Sequence, residues 1–206
     1  MTLFKNKYRI ESTRLQEYDY SSPGAYFFTG CTKNRECLFG ETADGQMILN
    51  DSGQIVLDCW HDLPNHYANM TLDAFVIMPN HIHGIIIIVE TGFKPVSTKT
   101  KTNHGLSEFV RALKTFSSRH INAIRKTPGI PVWQSRFHEH IIRNEIELHK
   151  IREYIVNNPL NWETDENYLL PGTAVETGFK PVSTITGGFK PVSTITGGLK
   201  PVSTPE

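Results

Sequence analysis

The chain has 206 residues, 38% of them hydrophobic, enough for one real core with something appended. Lys plus Arg and Asp plus Glu stand at 21 each, which excludes a globally polybasic nucleic-acid binder and leaves any such role to local charge. Three cysteines without C-x-x-C spacing suit free thiols in a reducing compartment better than a disulfide framework. The apolar run Ile85–Val89 is too short to span a membrane and the N-terminus has no signal-peptide core, so the expectation is a cytoplasmic protein with no membrane partner.

In chain order, the aromatic stretch GAYFFTGCT (24–32) reads as a strand. Asp44-Gly45, between the short apolar pieces of LFGETADGQMIL, signals a hairpin. A helix follows through GQIVLDCWHDLPNHY, capped by Asp51 or Ser52, with Ile55, Val56, Cys59 and Leu63 on one stripe. LDAFVIMP and HIHGIIIIVE are strands separated only by Pro79-Asn80, a turn pair that makes them an antiparallel hairpin. Over 106–126, Leu106, Phe109, Val110, Leu113, Phe116, Ile121 and Ile124 recur at helical spacing, with Ser107 as a cap. VWQSRFHEHII is a fourth strand or an extended loop, and the last helix starts at Asn144 and ends at Pro159. The tight central hairpin implies an α+β, ferredoxin-like sandwich: an antiparallel sheet with the strand of His81 and His83 central and the helices on one face.

Repeats interrupt this pattern. ETGFKPVST occurs at 90–98 and 176–184, GGFKPVST at 187–194 and GGLKPVST at 197–204. Such segments hold too little apolar surface to offset ordering entropy, so the folded domain is expected over 8–170, with a loop insertion at 91–104 and a disordered tail at 171–206. Read back through the genetic code, Thr-Gly-Phe-Lys-Pro-Val is ACN GGN TTY AAR CCN GTN. Folded about the Phe wobble base, its six pairs with both members fixed by the code are all complementary. The repeats therefore read as in-frame copies of a small palindromic DNA element, whose single strand folds into a hairpin.

Two pairs of residues carry chemistry. His81 and His83, at i and i+2 of a strand, project to one face and can meet one ion while leaving positions open for a third ligand and substrate oxygens. The competing reading is a pair of hydrogen-bonded structural histidines. Tyr154 and Asn158, at i and i+4, share a helix face. A phenol, with a pKa near ~10, serves as both nucleophile and leaving group in phosphoryl transfer, although a helical tyrosine between Ile151 and Ile155 also suits a core edge.

The stretches MPNHIHGIIII and FHEHIIRNEIELHKIREYIVNNPLNW, preceded by DYSSPGAYFFTGCTKNRECLFGE, together resemble the single-tyrosine HUH transposases of small insertion sequences, and among these the REP-associated tyrosine transposases. The resemblance spans nearly all of 8–170 outside the insertion. It implies a metal-dependent single-strand DNA endonuclease and strand transferase. His81, His83 and Asn158 would hold Mg²⁺ or Mn²⁺, and Tyr154 would form a 5′-phosphotyrosine intermediate. Relatives often have Gln where this chain has Asn158. The implied partner is single-stranded or hairpin DNA, bound by a monomer or homodimer. A catalytically silent hairpin-binding protein of the same fold is the alternative. An unrelated metal hydrolase is disfavoured because no Glu-x-x-His or Asp partner accompanies the motif.

Between 105 and 155, nine Lys and Arg stand against five Glu, a local excess suited to phosphates. Candidate DNA contacts are Arg111, Lys114, Arg119, Gln134, Arg136, Arg143 and Lys150. Trp133 is either a stacking group for unpaired bases or a core anchor. His138 and His140 repeat the H-x-H spacing but read better as a surface or sheet-edge pair than as a second metal site. If the tail contributes no core, deleting 171–206 will leave the melting temperature and any DNA-cleavage rate close to those of the full chain. A large fall in either would show that the repeats pack.

Overall fold

A computed structural model describes residues 17–90 and 104–168, together with two short N-terminal strands, β1 (Leu3–Phe4) and β2 (Lys7–Tyr8), which pair with each other. The insertion expected at 91–104, apart from His104, and the tail expected at 171–206 lie outside the described residues. The domain is built on β3 (Gly24–Cys31), α1 (Asp51–His66), β6 (Met70–Met78), β7 (His81–Ile88), α2 (Leu106–Arg125) and β8 (His138–Ile142). A hairpin of β4 (Gly40–Ala43) and β5 (Gln46–Leu49) intervenes before α1, and α3 (Glu145–Asn157) with a 3₁₀ turn (Pro159–Thr164) follows β8. The sheet order is β6-β7-β3-β8 with every neighbouring pair antiparallel, so the expected ferredoxin-like α+β sandwich is present, and the strand of His81 and His83 is central.

Both central strands are buried on both sides, which is why their sequences read as unbroken apolar runs rather than as alternation. Tyr26 and Phe28 of β3 and Ile82, Ile86 and Ile88 of β7 pack against Val56, Trp60 and Leu63 of α1 and Phe109, Val110 and Leu113 of α2. Phe27 and Ile85, one residue out of phase, pack on the other side against Leu148, Ile151 and Ile155 of α3. The expectation of helices on one face is thus corrected: α1 and α2 cover one face and α3 the other. The pattern that gives this away is burial of the consecutive aromatics Tyr26, Phe27 and Phe28, which one covered face cannot satisfy. A two-pronged ion pair fixes α3 further, the Arg152 guanidinium donating to both carboxylate oxygens of Asp73 at 2.8 and 2.5 Å. Asp73 lies at the register shift in β6 between Leu72 and Phe75.

Two caps differ from expectation. Asn50, not Asp51 or Ser52, caps α1, its side-chain oxygen accepting from the Ser52 and Gly53 amides at 3.0 Å each. Gly105, not Ser107, is the N-cap of α2, and the Leu106 amide is satisfied instead by the Tyr20 carbonyl at 3.1 Å. Phe116 and Ile124, placed on the apolar stripe of α2, stand 40% and 51% exposed because the helix turns that edge outward.

Gly53 shows how closely α1 is seated. A Cβ there would lie 2.3 Å from the Phe39 carbonyl oxygen and 2.9 Å from a Leu49 methyl. Intrinsic helix propensity favours Ala over Gly by about 1 kcal/mol. Gly53→Ala will nonetheless destabilise the fold by about 1–3 kcal/mol in chemical denaturation, because the clash is with backbone. A stabilised variant would mean that α1 is not docked on the β4–β5 hairpin this tightly.

Candidate active site

The histidine strand β7 is flanked by β3 and β6, and register decides what each imidazole meets. His83 lies opposite Thr29 on β3 and Val76 on β6, and His81 opposite Cys31 and Met78. Both rings project to the face covered by α3, their centroids 4.6 Å apart, and both residues are fully buried. Tyr154 reaches them from α3: its hydroxyl is 3.2 Å from His83 Nε2, and Phe27 stacks on the His83 ring at 5.4 Å. Asn158, one helical turn later, is also buried.

The polar partners orient these rings. Asn80 is fully buried in the turn before β7, and its amide nitrogen donates to the carbonyls of Asn167 (2.8 Å) and Arg35 (3.3 Å). That fixes the amide so that its oxygen faces His81 Nδ1 at 2.8 Å and accepts that nitrogen's proton. His81 Nε2 is left carrying the lone pair, buried and without a hydrogen-bond partner, and Asn158 Oδ1 is in the same condition. His83 Nδ1 is held by Thr29 Oγ1 at 2.8 Å, which turns Nε2 toward the tyrosine.

Beyond α3 the chain doubles back through the 3₁₀ turn and brings Asp165 onto the same spot. Asp165 Oδ2 accepts from Asn158 Nδ2 at 3.1 Å and from the Tyr154 hydroxyl at 3.4 Å. Trp162 lies against the His81 ring at 5.8 Å, and Asn167 anchors the segment to Asn80. One ligand atom each from His81, His83 and Asp165 lie within 4.8 Å of one another, a group that can hold a metal ion. Burial, opposed in part by the Asp165 carboxylate, holds His81 down to about 4. Burial, with the neighbouring His81 and His138, pushes His83 well below its usual value. Both rings are therefore neutral lone-pair donors at physiological pH, the form a cation requires. Burial and then the Asp165 charge push the Tyr154 phenol above its ordinary range. Two imidazole nitrogens, a carboxamide oxygen and a carboxylate, two of these atoms buried and unpaired, fit a Mg²⁺- or Mn²⁺-sized ion.

No protein-family model matches the chain. An uncharacterised protein of Haemophilus influenzae is 41% identical over 172 residues, which cover 77% of this chain and 92% of that protein. A second H. influenzae protein, named as a REP-associated tyrosine transposase, is 25% identical over 142 residues, 69% of this chain and 73% of that one. The solved structure of a REP-associated tyrosine transposase bound to a REP hairpin shares the fold, with a TM-score of 0.51 and 21% identity over 73% of this chain and 74% of that chain. The chain is thus similar to REP-associated tyrosine transposases, in fold to the hairpin complex and distantly in sequence to the H. influenzae protein of that name.

The structure brings together His81, His83, Tyr154 and Asn158, separated by as many as 77 positions in the sequence. The other candidates scatter. Arg111, Arg119 and Arg136 are exposed, and Gln134 is half-buried beside them. The Lys114 ammonium is spent on the carbonyls of Gln134 (2.5 Å) and Arg136 (3.1 Å), pinning α2 to the segment before β8. Trp133 is 6% exposed, donates from Nε1 to Ser117 Oγ at 3.0 Å and packs on Phe39, so it is the core anchor and not a free stacking platform. Arg143 and Lys150 flank a small cavity of about 380 Å³ at the start of α3. His138 pairs with Thr29 and so shares the His83 face, while His140 is bonded to Glu147 at 2.7 Å, apart from the His81–His83 pair.

Sequence reading missed Asn80, which it took for a turn former, and Asp165. If Asn80 sets the His81 tautomer, Asn80→Ala will weaken Mn²⁺ binding, read by calorimetry or by metal-induced rise in melting temperature, by roughly 10–100-fold. Unchanged Mn²⁺ affinity in a folded variant would remove Asn80 from the site.

Proposed function

We propose that the chain is a divalent-cation-dependent single-strand DNA endonuclease and strand transferase, a transposase acting on hairpin or palindromic DNA repeats through a 5′-phosphotyrosine intermediate. Tyr154 is the nucleophile, and His81, His83 and Asn158 hold the ion, with Asp165 beside them. The observation that carries the reading is the Tyr154 hydroxyl standing 3.2 Å from His83 Nε2, in the same pocket as the unpartnered lone pairs of His81 Nε2 and Asn158 Oδ1.

Bound there, Mg²⁺ or Mn²⁺ supplies positive charge to the scissile phosphate and makes a buried phenol easier to deprotonate. This chain's residues do the rest. Phe27 and α3 hold the phenol in place, and Asp165 Oδ2 accepts its proton as the oxygen bonds to phosphorus. The bond to the 3′-oxygen breaks and that oxygen takes up one proton, so the step is balanced and leaves DNA joined to Tyr154 by its 5′-phosphate. Because one phosphodiester is exchanged for another ester, a second 3′-hydroxyl can reverse the step and complete strand transfer without ATP.

The sequence repeats suggest the substrate. The hairpin encoded around ACCGGTTT-Y-AAACCGGT is the kind of DNA named for the structural relative, and the chain carries its peptide translation in full at 91–96 and 177–182, with variant copies at 187–192 and 197–202. With this labelled hairpin and Mn²⁺, the wild-type chain will form a covalent protein–DNA adduct. Tyr154→Phe will abolish the adduct but keep hairpin binding, and His81→Ala and His83→Ala will lose both cleavage and Mn²⁺ dependence. Adduct at wild-type level in the Phe variant would overturn the nucleophile, and binding without adduct in the wild type would favour the silent hairpin binder. Equal affinity for a scrambled hairpin at the same salt would separate the repeats from the enzyme's target.

A further inference from the structure

A groove of about 1010 Å³ lies away from the histidine pair, between the outer face of α2 and the segment 128–137. Its rim is a stripe along α2 and its C-cap: Arg111, Thr115, Arg119 and Lys126, all exposed, with Ser107 and Ser118 on the same side. Ser107 to Lys126 spans roughly 28 Å at 1.5 Å per residue. The opposite wall is apolar, with Ile130 52% exposed between Gly129 and Pro131. Among the described residues, no acidic one lines the groove.

The wall is held in place at three points. Asn122 Nδ2 donates to the Ile130 carbonyl at 2.8 Å, Trp133 Nε1 to Ser117, and Lys114 to the Gln134 and Arg136 carbonyls. Such a groove is preformed, with cations and hydroxyls on one rim and an apolar wall facing them. Phosphates on the rim and unpaired bases against the wall are what single-stranded nucleic acid offers, whereas a paired stem turns its bases inward.

Topology joins this groove to the catalytic face. Residues 132–134 run beside 31–33, the Lys33 amide donating to the Val132 carbonyl at 2.7 Å and the Gln134 amide to the Cys31 carbonyl at 2.9 Å. The wall therefore continues directly into β8. One residue beyond the groove's Phe137 stands His138, opposite Thr29, which is opposite His83. Two strand spacings, about 10 Å, separate His138 from His83. We infer that the groove between α2 and residues 128–137 binds the single-stranded flank of the DNA substrate and leads it over the start of β8 to Tyr154.

This rests on the proposed function for its substrate, so the test reads binding apart from chemistry. In a Tyr154→Phe background, affinity for a fluorescent hairpin is measured with and without a single-stranded extension, 5′ or 3′, across a salt series. The extension is expected to tighten binding. Arg111→Ala/Arg119→Ala/Lys126→Ala together will remove that gain, a loss on the order of tenfold, and lower the salt slope by about 2, at roughly 0.7 per phosphate on single strands. Arg125→Ala, a cation on the same helix outside the groove, will leave both unchanged. Undiminished binding of the extended hairpin by the triple variant overturns the inference, as does a wild-type chain that gains nothing from the extension. An equal loss on the bare hairpin would assign the groove to the stem and overturn the single-strand reading. Absence of adduct in the Tyr154 protein would count against the proposed function while leaving this binding result intact.

Discussion

Burial of β7 on both faces is the constraint from which the site follows. A strand covered by α1 and α2 on one side and α3 on the other has no room for a hydrated polar side chain, yet it carries two imidazoles on the α3 side. Each has to be neutral and each ring nitrogen has to be accounted for. Asn80 and Thr29 take up one nitrogen apiece, and the remaining nitrogens are both aimed at the pocket below α3. The fold thus converts a desolvation penalty into two oriented lone pairs, and the stability of the surrounding core holds them there.

The C-terminal part of the domain completes that arrangement. α3 is docked by apolar contact and by the Arg152–Asp73 pair, which fixes the position of Tyr154 along the sheet. Pro159 ends the helix and starts a tight turn, so the chain has no choice but to fold back over its own last residues. Trp162 then closes over His81, Asp165 meets Tyr154 and Asn158, and Asn167 returns to Asn80, the residue that orients His81. Two ends of the site are closed by one pair of hydrogen-bonding asparagines, which explains why the Asn80 side chain is buried in a turn, where asparagine is usually solvated.

Much of this was legible from residues. The β6–β7 hairpin could be read from Pro79-Asn80 between apolar runs, and the common face of His81 and His83 from the two-residue period of a strand. The shared face of Tyr154 and Asn158 followed from helical spacing. What could not be read was which face each helix covers. Consecutive buried aromatics at Tyr26, Phe27 and Phe28 demand two covers but do not say which helix supplies which. Trp133 was ambiguous for a related reason: an aromatic beside polar residues looks the same whether its indole bonds Ser117 or faces solvent. Asp165 was invisible because its role depends on a chain reversal, and Asn80 because a hydrogen bond to the adjacent residue leaves no periodicity in the sequence.

The zero net charge of the chain now has a physical sense. The proposed function needs cations where phosphates would lie, and on the face covered by α3 the acidic residues Asp73, Glu147 and Asp165 are each paired with a neighbour or facing the pocket. The α2 stripe, by contrast, has its cations exposed, with Glu108 as a partner only at the Arg111 end. Field depends on local arrangement more than on the sum, and over a Debye length of about 8 Å a remote carboxylate is screened from this stripe. A neutral chain can therefore present one cationic edge apart from the buried histidine pair, and on the proposed function that separation would let phosphate binding and phosphate chemistry be altered independently by mutation.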